Sequence, residues 1–160
     1  MGAFIDPQQL SRELMDTAEV AMLTTIGAEG FPETRAMFNL RRRTQFPGLV
    51  HFFAQHQADF LVYFTTNTSS RKLTQLARNP RASVYYSRPA DWRGLNLVGS
   101  LEVVSDPGLK ERLWQEGWEL YYPAGPQDPD YTVLRLKPQF GRYYHQLQVS
   151  TWTFPGESQP

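Results

Sequence analysis

Residues 61–80 read LVYFTTNTSSRKLTQLARNP, and the rest of the chain is organised around this stretch. Leu61, Val62, Tyr63 and Phe64 form an apolar run suited to a buried or half-buried strand. The small polar residues 65–70 follow as a turn. Leu73, Leu76 and Ala77 then recur at helical spacing. Asn79-Pro80 stops the helix, because proline restricts the residue before it and has no amide hydrogen. Ser69 or Ser70 can cap the first turn. Free backbone N–H groups, several hydroxyls, Arg71 and Lys72 therefore meet at one helix N-terminus, an arrangement that attracts phosphate. The alternative is an ordinary capped surface helix with its basic residues in solvent, although cations in a first turn oppose the helix dipole when no anion is present.

A chain of 160 residues is long enough for one domain with a real core. Lys+Arg and Asp+Glu balance at 16 each, so nothing points to a nucleic-acid or acidic-membrane partner. There is no cysteine, hence no disulfide framework and no thiolate nucleophile. The first residues, MGAFIDPQQLSRELMD, lack the basic region and apolar core of a signal peptide, and no run approaches transmembrane length. A soluble cytoplasmic protein is the expectation. Aromatic residues make up 14%, which fits strands, an interface or a planar ligand.

Outward from the central stretch, Asp6-Pro7 is a helix start, with a helix to about residue 19. Residues 20–26 (VAMLTTI) and 31–40 (FPETRAMFNL) read as a hairpin around Gly27-Ala28-Glu29-Gly30. Arg41, Arg42 and Arg43 read as a solvated basic link, and residues 49–54 (LVHFFA) as a short strand or irregular apolar segment. Residues 81–87 and 95–105 are strands, the second with Gly99 inside it, where a glycine marks a bend, a bulge or a close approach. Asp106-Pro107 starts a helix to about residue 119. Residues 121–129 (YYPAGPQDP) form a loop, residues 131–137 and 139–144 two closing strands, and residues 148–154 a last short one. The pattern is mainly β: a small antiparallel barrel with peripheral helices, one domain over residues 1–154 and a frayed tail over 155–160.

The sequence contains no dinucleotide, Walker, zincin or nucleophile-elbow motif. His51, His56 and His145 have no metal-ligand spacing and read as surface or core filler. No side chain stands out as nucleophile or general base, so any catalysis falls to a cofactor. Arg35 lies in a strand among Ala36, Met37 and Phe38, where a charge faces solvent or projects into a groove to bind an anion or carbonyl. Trp92 and Trp118 read as core or interface packing, with stacking as the alternative.

Four blocks in order, PETRAMFN, YFTTNTSSRKLTQLARNPRASVYY, WRGLNLVGSLEVVSDPGLKERLW and YYPAGPQDPDYTVLRLKP, resemble the FMN-binding split-barrel proteins related to pyridoxamine 5'-phosphate oxidase, in particular the general stress protein 26 branch. The resemblance covers residues 19–144. It implies a six-stranded antiparallel Greek-key split barrel forming a homodimer, with FMN at the interface touched by both subunits. Carried over residue by residue, it implies that Arg35, Ala36, Met37 and Phe38 run along the flavin and its ribityl chain. It places Thr65 and Thr66 beside the flavin and makes Ser70, Arg71 and Lys72 the phosphate binders. Two departures argue against oxidation of pyridoxamine phosphate itself. Arg93-Gly94 stands where those oxidases have an arginine-glutamine pair, and their C-terminal arginine and histidine have no match here. The expected function is an FMN-dependent oxidoreductase acting on an unassigned small substrate. The alternatives are a non-catalytic flavin carrier or sensor, and a related barrel binding haem or a deazaflavin.

Overall fold

The hairpin expected after the first helix sets the frame. A computed structural model describes residues 5–156; residues 1–4 and all but the first two positions of the expected tail lie outside them. Helix α1 (Pro7–Thr17) starts at Asp6, whose carboxylate accepts from the Gln8 amide. Strands β1 (Val20–Ile26) and β2 (Pro32–Phe38) pair antiparallel. Gly30 closes their turn at a φ of 86°, in the left-handed region that glycine adopts without a steric penalty. Helix α2 (Val50–Ala54), β3 (Val62–Asn67) and helix α3 (Arg71–Arg78) follow, then β4 (Arg81–Arg88) and β5 (Arg93–Val104). Helix α4 (Pro107–Leu113), β6 (Tyr131–His145) and β7 (Gln148–Thr153) complete the order.

The sheet runs β2-β1-β4-β5-β6-β3, and β7 also pairs with β6. The six strands of that path match the expected split barrel; β7 is a seventh strand outside it. Every pairing is antiparallel. One edge of the long β6 is shared, its first half by β3 and its second by β7. The connection from β2 to β3 crosses from one end of the path to the other, leaving β2 and β3 as its terminal strands without a ladder between them. This is the split in the barrel.

Two apolar clusters hold the fold. Leu14 and Met15 of α1 pack with Leu23, Phe64, Val84, Leu95, Leu97 and Leu134 inside the barrel. A second cluster joins Phe46, Phe52, Phe53, Tyr63, Leu113, Trp118 and Tyr131 outside β3 and β6. Val62 and Phe64 face the first cluster and Tyr63 the second, so a strand buried on both sides reads as a continuous apolar run rather than an alternating one.

Four local expectations are corrected. Residues 49–54 are neither strand nor irregular: a 3-10 turn at Pro47–Leu49 leads directly into α2. The closing strands are one strand, β6, with Pro138 inside it at a register shift opposite Gly99. Helix α4 ends at Leu113 rather than near 119, and a separate 3-10 turn, Trp118–Leu120, follows Gly117 at a φ of 92°. Of the three arginines, Arg43 is at the surface, paired with Asp16 at 2.8 Å. Arg41 is buried instead, donating from Nη2 to the His56 and Leu61 carbonyls at 3.0 Å each. Its guanidinium stacks over Phe53, and burial lowers its pKa. No helix among the described residues is long and apolar enough to cross a membrane.

Candidate functional site

The turn between β3 and α3 is pinned from the far side of the sequence by Asp130. The Asn67 side-chain amide donates to one carboxylate oxygen of Asp130, and the Ser69 amide and hydroxyl donate to the other at 3.1 and 3.2 Å. The Thr68 amide donates to the Asp130 carbonyl at 2.8 Å. The side-chain bond from Asn67, followed by the backbone bond from Ser69, holds the Asp130 carboxyl below its ordinary pKa. Ser70 then caps α3, its hydroxyl accepting from the Lys72 amide at 3.3 Å.

Arg71 and Lys72 occupy the first turn of α3, and Glu33 and Arg35 reach them from β2. Glu33, Arg35, Ser70, Arg71 and Lys72 line a cavity of about 410 Å³. Arg71 Nη2 lies 2.9 Å from Glu33 Oε1, while the Gln75 side-chain amide donates to the other Glu33 oxygen. Gln75 Oε1 accepts from the Thr25 hydroxyl and, at 3.3 Å, from Arg35 Nη2. Arg35 Nη1 donates to the Thr25 hydroxyl at 2.7 Å and to the Leu23 carbonyl at 3.3 Å. Arg35 thus faces the groove, tied to β1 and α3, and not open solvent. Burial, then the neighbouring Arg35 charge, lowers the Lys72 pKa. Burial also lowers that of Arg35, with Arg71 adding to the effect and Glu33 opposing it. Three cations face one carboxylate here, and no ion pair to Lys72 is present among the described residues.

A second cavity, of about 430 Å³, opens between the terminal strands β2 and β3. Ala36, Met37 and Phe38 form one wall, with Val20 beside them, and Thr65, Thr66 and Asn67 form the other. Trp118, Tyr121 and Tyr122 bound it from the loop before β6. The Trp118 ring lies nearly parallel to that of Phe38, centroids 6.4 Å apart. Lys72 lines both cavities and joins an aromatic slot to a cationic pocket.

Every residue that the resemblance assigns to the flavin or its phosphate lines one of these two spaces. Ala36, Met37, Phe38, Thr65 and Thr66 line the slot, Arg35, Ser70 and Arg71 the pocket, and Lys72 both. Sequence reasoning left out Glu33 and Gln75. It placed Tyr121 and Tyr122 in a loop without a role, and it weighed Trp118 only as packing or stacking. Strand periodicity carries a signal for Glu33, which stands two residues before Arg35 and so on the same face. His145 lies elsewhere, beside Arg93 and Tyr143 in a separate cavity, and His56 pairs with Asp59. No group of acidic and histidine side chains among the described residues has the geometry of a metal site.

The family model for pyridoxamine 5'-phosphate oxidase matches residues 8–145. The chain belongs to the pyridoxamine 5'-phosphate oxidase family. Among solved structures it is similar to a protein from Clostridium acetobutylicum related to general stress protein 26. The two share 32% identity, with a TM-score of 0.74 over 93% of this chain and 96% of the other. General stress protein 26 from Bacillus anthracis shares the fold at 17% identity and a TM-score of 0.66, over 91% of this chain and 98% of that one. A heme-binding protein from Mycobacterium smegmatis also shares it, at 17% identity and a TM-score of 0.67, over 95% of this chain and 60% of the other. Within this family frame, Gly94 is covered by a neighbour. A Cβ added there would lie 2.0 Å from the Tyr85 hydroxyl, so a glutamine fits only if Tyr85 turns away.

Proposed function

We propose that this member of the family binds FMN in the split between β2 and β3 and works as a flavin-dependent oxidoreductase on a small substrate, as a homodimer. The observation that carries the reading is Lys72, which lines both an aromatic slot and a cationic pocket. A planar ring joined to a phosphate is the ligand chemistry those two halves suit together. Ser70, Arg71 and Lys72 would hold the phosphate through charge-assisted hydrogen bonds. Arg35, Ala36, Met37, Phe38, Thr65 and Thr66 would flank the ring and its side chain, and Trp118 and Tyr122 would shield them from water. The bound flavin would supply the electron-transfer chemistry, and the protein would orient it.

The dimer is supported by the outer face of the sheet. Val20, Phe38, Tyr85 and Val98 are exposed there. Val20 pairs with Phe38, Met22 with both Ala36 and Tyr85, and Ser83 with both Thr24 and Val98, so these residues share one surface. That surface begins at the slot, whose lining includes Val20, Ala36 and Phe38.

Titrating FMN and riboflavin into the protein and into an Arg71→Ala/Lys72→Ala variant tests the reading. FMN affinity should fall about tenfold to a hundredfold, and riboflavin affinity should barely change, because only FMN carries the phosphate those side chains grip. Equal losses for the two ligands overturn the phosphate assignment. A Soret band in place of flavin absorbance would favour haem, and selective uptake of a deazaflavin would favour that cofactor.

A further inference from the structure

The cationic pocket already holds an anion of its own, the Glu33 carboxylate. One oxygen lies 2.9 Å from Arg71 Nη2, and the other accepts from Gln75. Gln75 is 7% exposed and is itself held by Thr25 and Arg35. Glu33 is therefore fixed at the wall of the pocket and does not swing freely on the surface. The Arg71 side chain is 82% exposed, and an ion pair so open to water is weak and readily exchanged. We infer that Glu33 is a resident competitor: its carboxylate takes the Arg71 guanidinium whenever the ligand phosphate is absent and weakens the grip on that phosphate when it is present.

This inference rests on the phosphate reading of the pocket and adds how tightly the phosphate is held. A ligand phosphate must draw Arg71 away from Glu33. Because Gln75 keeps the carboxylate in place after Arg71 leaves, the ligand must also sit beside a like charge, which is unfavourable. Both effects act on the phosphate and neither acts on the ring. The consequence is an exchangeable ligand: the slot selects the ring, and Glu33 keeps the phosphate from locking it in place.

The test is FMN and riboflavin binding, by calorimetry, to the wild-type protein, Glu33→Gln, Arg71→Ala and the Glu33→Gln/Arg71→Ala double variant. Glutamine at 33 keeps an oxygen for Gln75 and removes the charge. FMN should bind Glu33→Gln about threefold to tenfold more tightly, with faster loss of FMN from wild type than from the variant. Riboflavin affinity should not change. The gain should shrink in the Arg71→Ala background, where there is no guanidinium to compete for. Glu33→Ala, which also removes the charge, should likewise tighten FMN and guards against a packing effect of the new amide; thermal melts confirm folding. Unchanged or weaker FMN binding in both neutral variants, with Arg71→Ala still costing FMN more than riboflavin, overturns the role of Glu33 and leaves the phosphate reading standing. Loss of FMN and riboflavin in equal measure in Arg71→Ala, with Glu33→Gln indifferent to both ligands, removes the phosphate reading and this inference with it.

Discussion

The missing side chain at position 99 lets β5 and β6 meet where the barrel bends. A Cβ on Gly99 would lie 1.9 Å from the Lys137 carbonyl oxygen, a backbone atom with no rotamer to move into. Opposite it the register shifts: Val98 faces Phe140 and Gly99 faces Pro138, so Gln139 is the extra residue of a bulge. Proline suits that place, because it has no amide hydrogen to give to a ladder. Gly99→Ala should therefore destabilise the fold by about 3 kcal/mol, measured as a shift in the urea midpoint, whereas Gly48→Ala, which has open space around it, should change little. The same pair of residues shows how much single positions disclose. The sequence marks Gly99 as a bend, a bulge or a close approach, and leaves Pro138 between two separate strands. That they are two halves of one bulge depends on a pairing between distant segments, which periodicity within either segment does not contain. Glu33 is passed over in the sequence, although its spacing carries a signal. Its strand face follows from its spacing to Arg35, but its partners on α3 come from the fold.

Among elements, the β3–α3 connection was the most legible, since an apolar run, a serine cap and an Asn-Pro stop each act locally. Its anchor was not legible: Asp130 lies far along the chain and meets Asn67 and Ser69 only because β3 pairs with β6. Helix α2 was misread for a different reason. Five residues, VHFFA, are too few for a helical period to show, and burial of Phe52 and Phe53 in the second cluster decides the conformation. The Asp130 tether has a pH dependence whose sign follows from its depressed pKa. A carboxylate held below its unfolded value stabilises the fold above that value, and the contribution is lost as pH falls through the folded pKa. Acidification below the ordinary aspartate value of 3.8 should therefore loosen this turn. Hydrogen exchange at the Thr68 and Ser69 amides should accelerate in that range. An NMR titration should place the Asp130 carboxyl below 3.8 and return it toward that value in Asn67→Ala. An Asp130 pKa at or above the ordinary value would show that the tether does not hold the turn.

At the scale of the whole molecule, the sheet topology leaves one face without a cover from the described residues. The barrel interior is filled by α1 and the inward strand residues, and the outer faces of β3 and β6 are covered by α2, α4 and the Trp118 turn. Among the described residues, nothing covers the outer face of β1, β2, β4 and β5: Val20 is 39% exposed, Phe38 47%, Tyr85 44% and Val98 37%. Contiguous apolar exposure on a sheet face marks an interaction surface, and a stable dimer would need to bury roughly 1,200–2,000 Å² in total. Since the slot opens onto this same face, a second copy seated there would both cover the apolar strands and close the binding space. On the proposed dimer, assembly would thus be linked to ligand affinity. Val98→Asp puts a charge on the β5 side of the face, away from the lining of either cavity. If the proposed dimer forms through this face, the substitution should shift the protein toward monomer in analytical ultracentrifugation and weaken FMN and riboflavin together, because it would remove a wall that the partner would supply rather than the phosphate grip. A variant that stays dimeric with unchanged affinity would exclude this face as the interface. A monomer that still binds FMN as tightly as wild type would show that one chain completes the slot by itself.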